Sequence, residues 1–165
     1  MRVIRILLML VVAIGLTACG SSKFKTYNGP KVTSVQVHKA DRKMYLLHNE
    51  RVLKKYDVAL GFNPDGHKQY EGDGRTPEGT YVVDRRNPNS QFHLSVGINY
   101  PRPQDVAYAN FIGKSPGGDI FIHGRSNWNG QNRGDWTHGC IAVTDKEMET
   151  VYAMIKDGTT IHILP

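Results

Sequence analysis

A chain of 165 residues with 21 Lys and Arg, 15 Asp and Glu and two cysteines carries a formal charge of +6 and has room for one domain with a real core. No basic cluster with interleaved aromatics appears, which argues against a nucleic-acid binder. The mild basicity suits an anionic polymer without specifying one.

The first segment in chain order reads as a targeting signal. Residues 1–18 run from Arg2 and Arg5 through an apolar stretch, Ile6 to Leu16, into small residues, which is the order of a secretory signal peptide. The stretch is shorter than the roughly 20 residues that a spanning helix needs. A buried core helix is the competing reading, and it would have to begin uncapped at the amino terminus. Leu16, Thr17, Ala18 and Cys19 also resemble the bacterial lipoprotein box, which implies that Cys19 is lipidated and opens the mature chain. Several acyl chains anchor firmly because each buried methylene adds about 0.8 kcal/mol. Gly20 stands where inner-membrane retention signals carry aspartate, so the same resemblance implies an exported, periplasmic protein held by lipid, at the outer membrane rather than the inner. Without the signal 147 residues remain, with 19 basic and 15 acidic side chains, a net +4.

Residues 19–31 are polar and small, with Asn28, Gly29 and Pro30 as breakers, and read as a flexible tether. A domain follows over 32–165. Val35 and Val37 alternate as in a strand, and "KMYLLH" and "RVLKKYDVAL" flank Asn49 and Glu50 as a hairpin. A loop rich in Gly and Pro leads to a strand at Tyr81 to Val83. "FHLSVGI" predicts another strand, "PQDVAYAN" a short helix, and "GDIFIHG" a strand that ends by delivering His123. After a polar loop comes "THGCIAV", and then a capping box, Thr144 to Glu147, opens a helix with Met148, Val151, Tyr152 and Ile155 on one face, stopped by Gly158 after Lys156. "TTIHIL" closes the chain as a strand. The domain is therefore mainly β, with one strong helix near the carboxyl end and long loops.

Cys140 is the residue that asks for a chemical explanation. In an oxidising compartment two cysteines ordinarily pair, but a lipidated Cys19 leaves Cys140 alone. A thiol attacks only as thiolate, which needs a base or a positive environment to form near neutral pH. If "GDIFIHG" and "THGCIAV" are neighbouring strands, His123 can face Cys140, and His138 lies on the side of Cys140 if that segment is extended. Gly139 permits a tight path in which successive N–H groups converge on an oxyanion. Spacing by itself leaves three readings open: a nucleophile, a small buried hydrophobe, or a zinc ligand with His123 and His138. His38, His48, His67 and His162 read as surface or strand-end residues.

"HG" followed at a distance by "THGC" resembles the signature of the L,D-transpeptidase (YkuD-type) catalytic domain family. "GDGRTPEGTY" is similar to its Thr-Pro-x-Gly segment, and "DRKMYLLHNERVLKKYDVALG" to its opening hairpin, so that the resemblance covers roughly residues 33–164. It implies a β-sandwich of mixed sheets and an enzyme that attacks the carbonyl of an L,D linkage in a peptidoglycan stem peptide. By position it implies Cys140 as nucleophile, His123 as general base, the Gly124 carbonyl orienting the imidazole, and an oxyanion hole at His138, Gly139 and Cys140. Thr137 fills the Ser/Thr slot. No metal or cofactor is implied. Many members carry arginine two residues after the cysteine, where this chain has Ala142; Arg125 and Arg133 are the expected replacements as carboxylate binders. Trp136, Ser90 and His93 are further substrate-binding candidates, with Phe92 and Ser95 beside them.

"GFNPDGHKQYEGDG", "RNPNSQFHLSV" and "SPGGDIFIHG" look most like a small periplasmic subgroup, one member of which releases an abundant envelope lipoprotein from peptidoglycan. The implied partners are thus stem peptides and, in one version, a lysine-bearing lipoprotein. Transpeptidation, hydrolysis of the same linkage, and a non-catalytic envelope scaffold remain distinct readings.

Overall fold

A computed structural model describes residues 22–125 and 134–165. The expected signal peptide, Cys19, Gly20 and Arg133 lie outside these residues. Eight strands, β1 (Ser34–His38), β2 (Lys43–His48), β3 (Arg51–Asp57), β4 (Gly79–Asn87), β5 (Ser95–Ile98), β6 (Phe121–His123), β7 (Ile141–Ala142) and β8 (Thr160–Leu164), join two helices, α1 (Pro103–Phe111) and α2 (Asp145–Met154). The strands form one curled mixed sheet in the order β3-β2-β1-β8-β4-β5-β6-β7. The pairs β1·β8 and β6·β7 are parallel and the others antiparallel.

The curl nearly closes. The chain leaving edge strand β3 crosses to the opposite edge, where Ala59 and Ala142 exchange both backbone hydrogen bonds, at 2.9 and 2.8 Å, and Phe62 N–H donates to the Thr137 carbonyl at 2.9 Å. Covering an edge in this way leaves fewer unpaired N–H and C=O groups for misassociation. Inside lies one core, in which Val35, Val37, Met44, Leu46, Val96, Ile98, Ile122 and Ile141 are fully buried. Each such side chain contributes about 1.5–3 kcal/mol when removed from water.

The helices form for the expected reasons. Thr144 Oγ1 accepts from Glu147 N–H at 3.3 Å while the Glu147 carboxylate accepts from Thr144 N–H at 2.9 Å, which completes the capping box of α2. The helix ends at Met154, two residues before the expected stop, because Ile155 turns extended and is wholly buried. Arg86 on β4 donates to the carbonyls of Tyr152 and Ile155 there, supplying the cation that the last turn of α2 itself lacks.

Residues 22–31, within the segment read as a tether, form neither helix nor strand and contact the domain. Lys23 donates to the carbonyls of Pro88 and His93, Lys25 pairs with Glu149 at 3.1 Å, and Tyr27 packs against the core. Composition predicts the lack of regular structure; it does not register long side chains that reach across to the domain. Among the described residues no helix is long and apolar enough to cross a membrane.

Candidate active site

The site stands on the three shortest strands. In the parallel pair β6·β7, Ile122 lies beside Ile141 and both point into the core. Side chains alternate along a strand, so Phe121 and His123 emerge on the other face, and Cys140 just before β7 joins them. All three line one cavity of about 550 Å³, with Asn87, Asn89, Ser90, Gln91, Phe92, Ser95 and Asp119 around it. The neighbouring-strand condition on which the juxtaposition of His123 and Cys140 depended is met.

His123 is 3% exposed, and its Nδ1 lies 2.7 Å from the Gly124 carbonyl oxygen. A carbonyl only accepts, so Nδ1 carries the proton and Nε2 keeps its lone pair. Phe92 stacks on the ring at 4.4 Å, and Trp136 meets it edge-on at 5.8 Å. This burial pushes the imidazole pKa below its usual range, against the opposing effect of the Gly124 hydrogen bond. Gly124 is obligatory, because a Cβ there would stand 2.5 Å from Asp145 Oδ1 and 2.8 Å from the Phe92 carbonyl.

The Cys140 thiol donates to the Asp119 carbonyl and accepts from Phe121 N–H, each at 3.4 Å. Desolvation pushes its pKa up, with the Phe121 hydrogen bond and the Lys68 charge pulling the other way. Burial thus disfavours the charged form of both groups.

The turn that presents the thiol is held from within. Thr137, itself buried, donates through Oγ1 to the Cys140 carbonyl at 2.7 Å and accepts from Gly139 N–H at 3.2 Å. Gly139 has φ +129°, and a Cβ there would lie 2.7 Å from the Arg75 carbonyl. The Gly139 amide is thereby occupied, so Gly139 supplies shape and not a free donor. The amides of His138 and Cys140 find no partner among the described residues.

Other expected positions differ. The segment before Cys140 is bent, not extended, which turns the exposed His138 into an adjoining groove of about 290 Å³ with Lys68, Glu71 and Gly118, edge-on to Phe62 at 5.5 Å. His123, His138 and Cys140 consequently do not converge as zinc ligands would. His93 points away from the cavity: at φ +71° its ring faces α2, with Nε2 3.1 Å from Glu149 Oε1. Ser90 lines the cavity and its Oγ accepts from Phe92 N–H at 3.1 Å. Arg125 N–H is held by Asp145 at 2.8 Å.

Ala142 is fully buried in its exchange with Ala59, which leaves no room for arginine. The guanidinium placed beside the cavity belongs to Arg85, which the sequence reading passed over. It lies 4.5 Å over the Phe121 ring and 3.2 Å from Asp119 Oδ1. Gly97 across the ladder makes this possible, since a Cβ there would meet Arg85 Cγ at 2.7 Å. An arginine paired with a glycine on the next strand is a weak signal until the pairing is known.

Such a curled sheet with cysteine and histidine at its parallel edge defines a class. The chain belongs to the L,D-transpeptidase catalytic domain family (YkuD), which residues 33–163 match. Among curated proteins it is similar to YafK of Escherichia coli strain K12, a candidate L,D-transpeptidase, at 26% identity over 127 residues, covering 73% of this chain and 46% of that protein. Among solved structures it resembles the helical cell shape determining protein Pgp2 from Campylobacter jejuni, with TM-score 0.62, 24% identity, and 87% of this chain and 51% of that one covered. An L,D-transpeptidase from Mycobacterium smegmatis shares the fold at TM-score 0.55 and 14% identity, over 81% of this chain and 59% of that one. The chain spans about half the length of the curated relative and of Pgp2.

Proposed function

We propose that this protein is a cysteine acyltransferase acting on peptidoglycan stem peptides, with Cys140 as nucleophile and His123 as general base. The observation that carries the reading is the pinning of His123 Nδ1–H on the Gly124 carbonyl, which leaves Nε2 as a proton acceptor in the same cavity as the thiol. Resting hydrogen bonds of the thiol run to Asp119 and Phe121, and substrate entry draws the thiol proton toward Nε2, as catalytic bonds commonly tighten only in the complex. The sulfur attacks the carbonyl of the L-centre residue. The free amides of Cys140 and His138 receive the developing oxyanion, each such donor contributing about 10²–10³-fold. The imidazolium then protonates the departing amine of the D residue, leaving a thioester on Cys140. An amine from a second stem peptide, or from a protein lysine, resolves the thioester in transpeptidation; water resolves it in hydrolysis.

The amide- and hydroxyl-rich wall formed by Asn87, Asn89, Ser90, Gln91 and Ser95 supports a peptide substrate, which needs hydrogen-bond partners along its backbone. Lipidation at Cys19 would hold the domain at the periplasmic face of a membrane. Mass spectrometry of muropeptides incubated with wild type and Cys140→Ala tests the proposal. New cross-links or lysine adducts made only by the wild type establish the transferase, and shortened or released stems establish a hydrolase. No Cys140-dependent product would sink both and leave the scaffold reading. Activity that survives a chelator and is lost to a thiol alkylator separates this chemistry from that of a zinc enzyme.

A further inference from the structure

The segment ahead of β1 is tied to one wall of the cavity and to α2. Lys23 Nζ donates to the Pro88 carbonyl at 2.6 Å and to the His93 carbonyl at 3.2 Å. One ammonium therefore bridges the two ends of residues 88–93, between which Ser90 and Phe92 face the thiol. A second tie holds the same end. Lys25 Nζ pairs with Glu149 Oε2 at 3.1 Å and donates to the Lys146 carbonyl at 3.4 Å, while Glu149 Oε1 takes His93 Nε2 at 3.1 Å. Asp145 Oδ2, 3.9 Å from His93 Nδ1, is the other charge facing this ring. His93 sits at φ +71°, a conformation that a side chain with a Cβ adopts only when its surroundings hold it there.

The wall meets the imidazole once directly and once through Gly124. Phe92 stacks on His123, and its carbonyl accepts Gly124 N–H at 3.0 Å, from the residue whose own carbonyl pins Nδ1. A shift of residues 88–93 would thus change the cavity's width and the orientation of the ring together.

We propose that Lys23 and Lys25, the latter through Glu149, are positioning residues for the chemistry at Cys140, the amino-terminal segment acting as a strap that holds the 88–93 wall against His123. The proposal rests on the assignment of His123 as base to the thiol. The strap costs little in stability to release, since its lysines are solvent-accessible, and its effect is on geometry at the site.

The test is the pH profile of Cys140 alkylation by iodoacetamide in the full chain, which needs no peptidoglycan. Wild type, Lys23→Ala, Lys23→Arg, Lys25→Ala, Glu149→Gln, His123→Gln and the distant surface control Lys54→Ala are compared, with thermal midpoints. His123→Gln is expected to raise the inflection; if it does not, the base assignment fails, whatever the strap does. Given that rise, Lys23→Ala is expected to raise the inflection by about half a unit, roughly threefold in rate at fixed pH. Lys25→Ala and Glu149→Gln should move it the same way by less, Lys23→Arg should restore it, and Lys54→Ala should do nothing, all with midpoints near wild type. Profiles of Lys23→Ala and Glu149→Gln that overlay wild type, or a Lys23→Arg profile no different from that of Lys23→Ala, would overturn the strap.

Discussion

The two ends of the sheet differ in kind. Strands β1, β2 and β3 have 5, 6 and 7 residues, follow one another through short turns, and leave much of β3 exposed. Strands β5, β6 and β7 have 4, 3 and 2, are buried apart from partly exposed Phe121, and find their partners across long stretches of chain. The first set is held largely by ladders between neighbours in sequence, with β1 also paired to the distant β8. The second is held by contacts from outside itself: Ala59 and Leu60 on one side, α2 behind, and the 88–93 wall in front. The candidate site sits where local order is least able to tolerate change, and the proposed nucleophile and base would have to be fixed by packing to a fraction of an ångström.

That contrast can be broken at its strongest point by His123→Gln. Turnover of stem peptide should fall by about 10²–10⁴, the usual contribution of a positioned base. The same variant checks the sign of the pH effect. Attack needs neutral imidazole and burial lowers the His123 pKa, so the acid limb of the wild-type profile should lie below the ordinary histidine value of about 6.5 and vanish in the variant. A limb above that value would contradict the buried, neutral base. Gly139→Ala comes next. At φ +129° and 2.7 Å from the Arg75 carbonyl the turn must shift, and an ångström of displacement at the thiol costs roughly 10²-fold in rate. Steady-state kinetics would read it as lost kcat. At the other end Val52→Thr, on an edge strand and 51% exposed, should leave activity unchanged and stability within about 0.5 kcal/mol by denaturant titration. A large effect there would erase the distinction between the two ends.

Strands β1, β2 and β3, the capping box of α2 and the short helix α1 were legible because strand patterning, turns and cap chemistry are local, whereas of β4 (Gly79–Asn87) only Tyr81 to Val83 were. Cys140, His123 and Gly124 stood out as candidates because "HG" and "THGC" are short local motifs. His93 was misplaced because strand-like neighbours hide a single residue with positive φ, whose side chain then faces the opposite way. His138 was misplaced for the related reason that Gly139 bends a segment which alternation assumes to be straight. Arg85 was missed because its route over Gly97 to Phe121 depends on a ladder register that shifts between Val83 and Arg85.

Residue order alone carried the family and the β class, and it singles out the thiol and the imidazole as candidates, since each of these is written in patterns a few residues long. Packing decided the rest: which amides lack a partner among the described residues, that Arg85 stands beside the cavity, and that a polar amino-terminal segment is tied to the wall. The last two depend on groups 34 to 70 positions apart, from Arg85 and Asp119 to Lys23 and His93. Contacts at that separation are selected by the closed shape of the sheet, because chain connectivity does not bring such groups together until the core has formed.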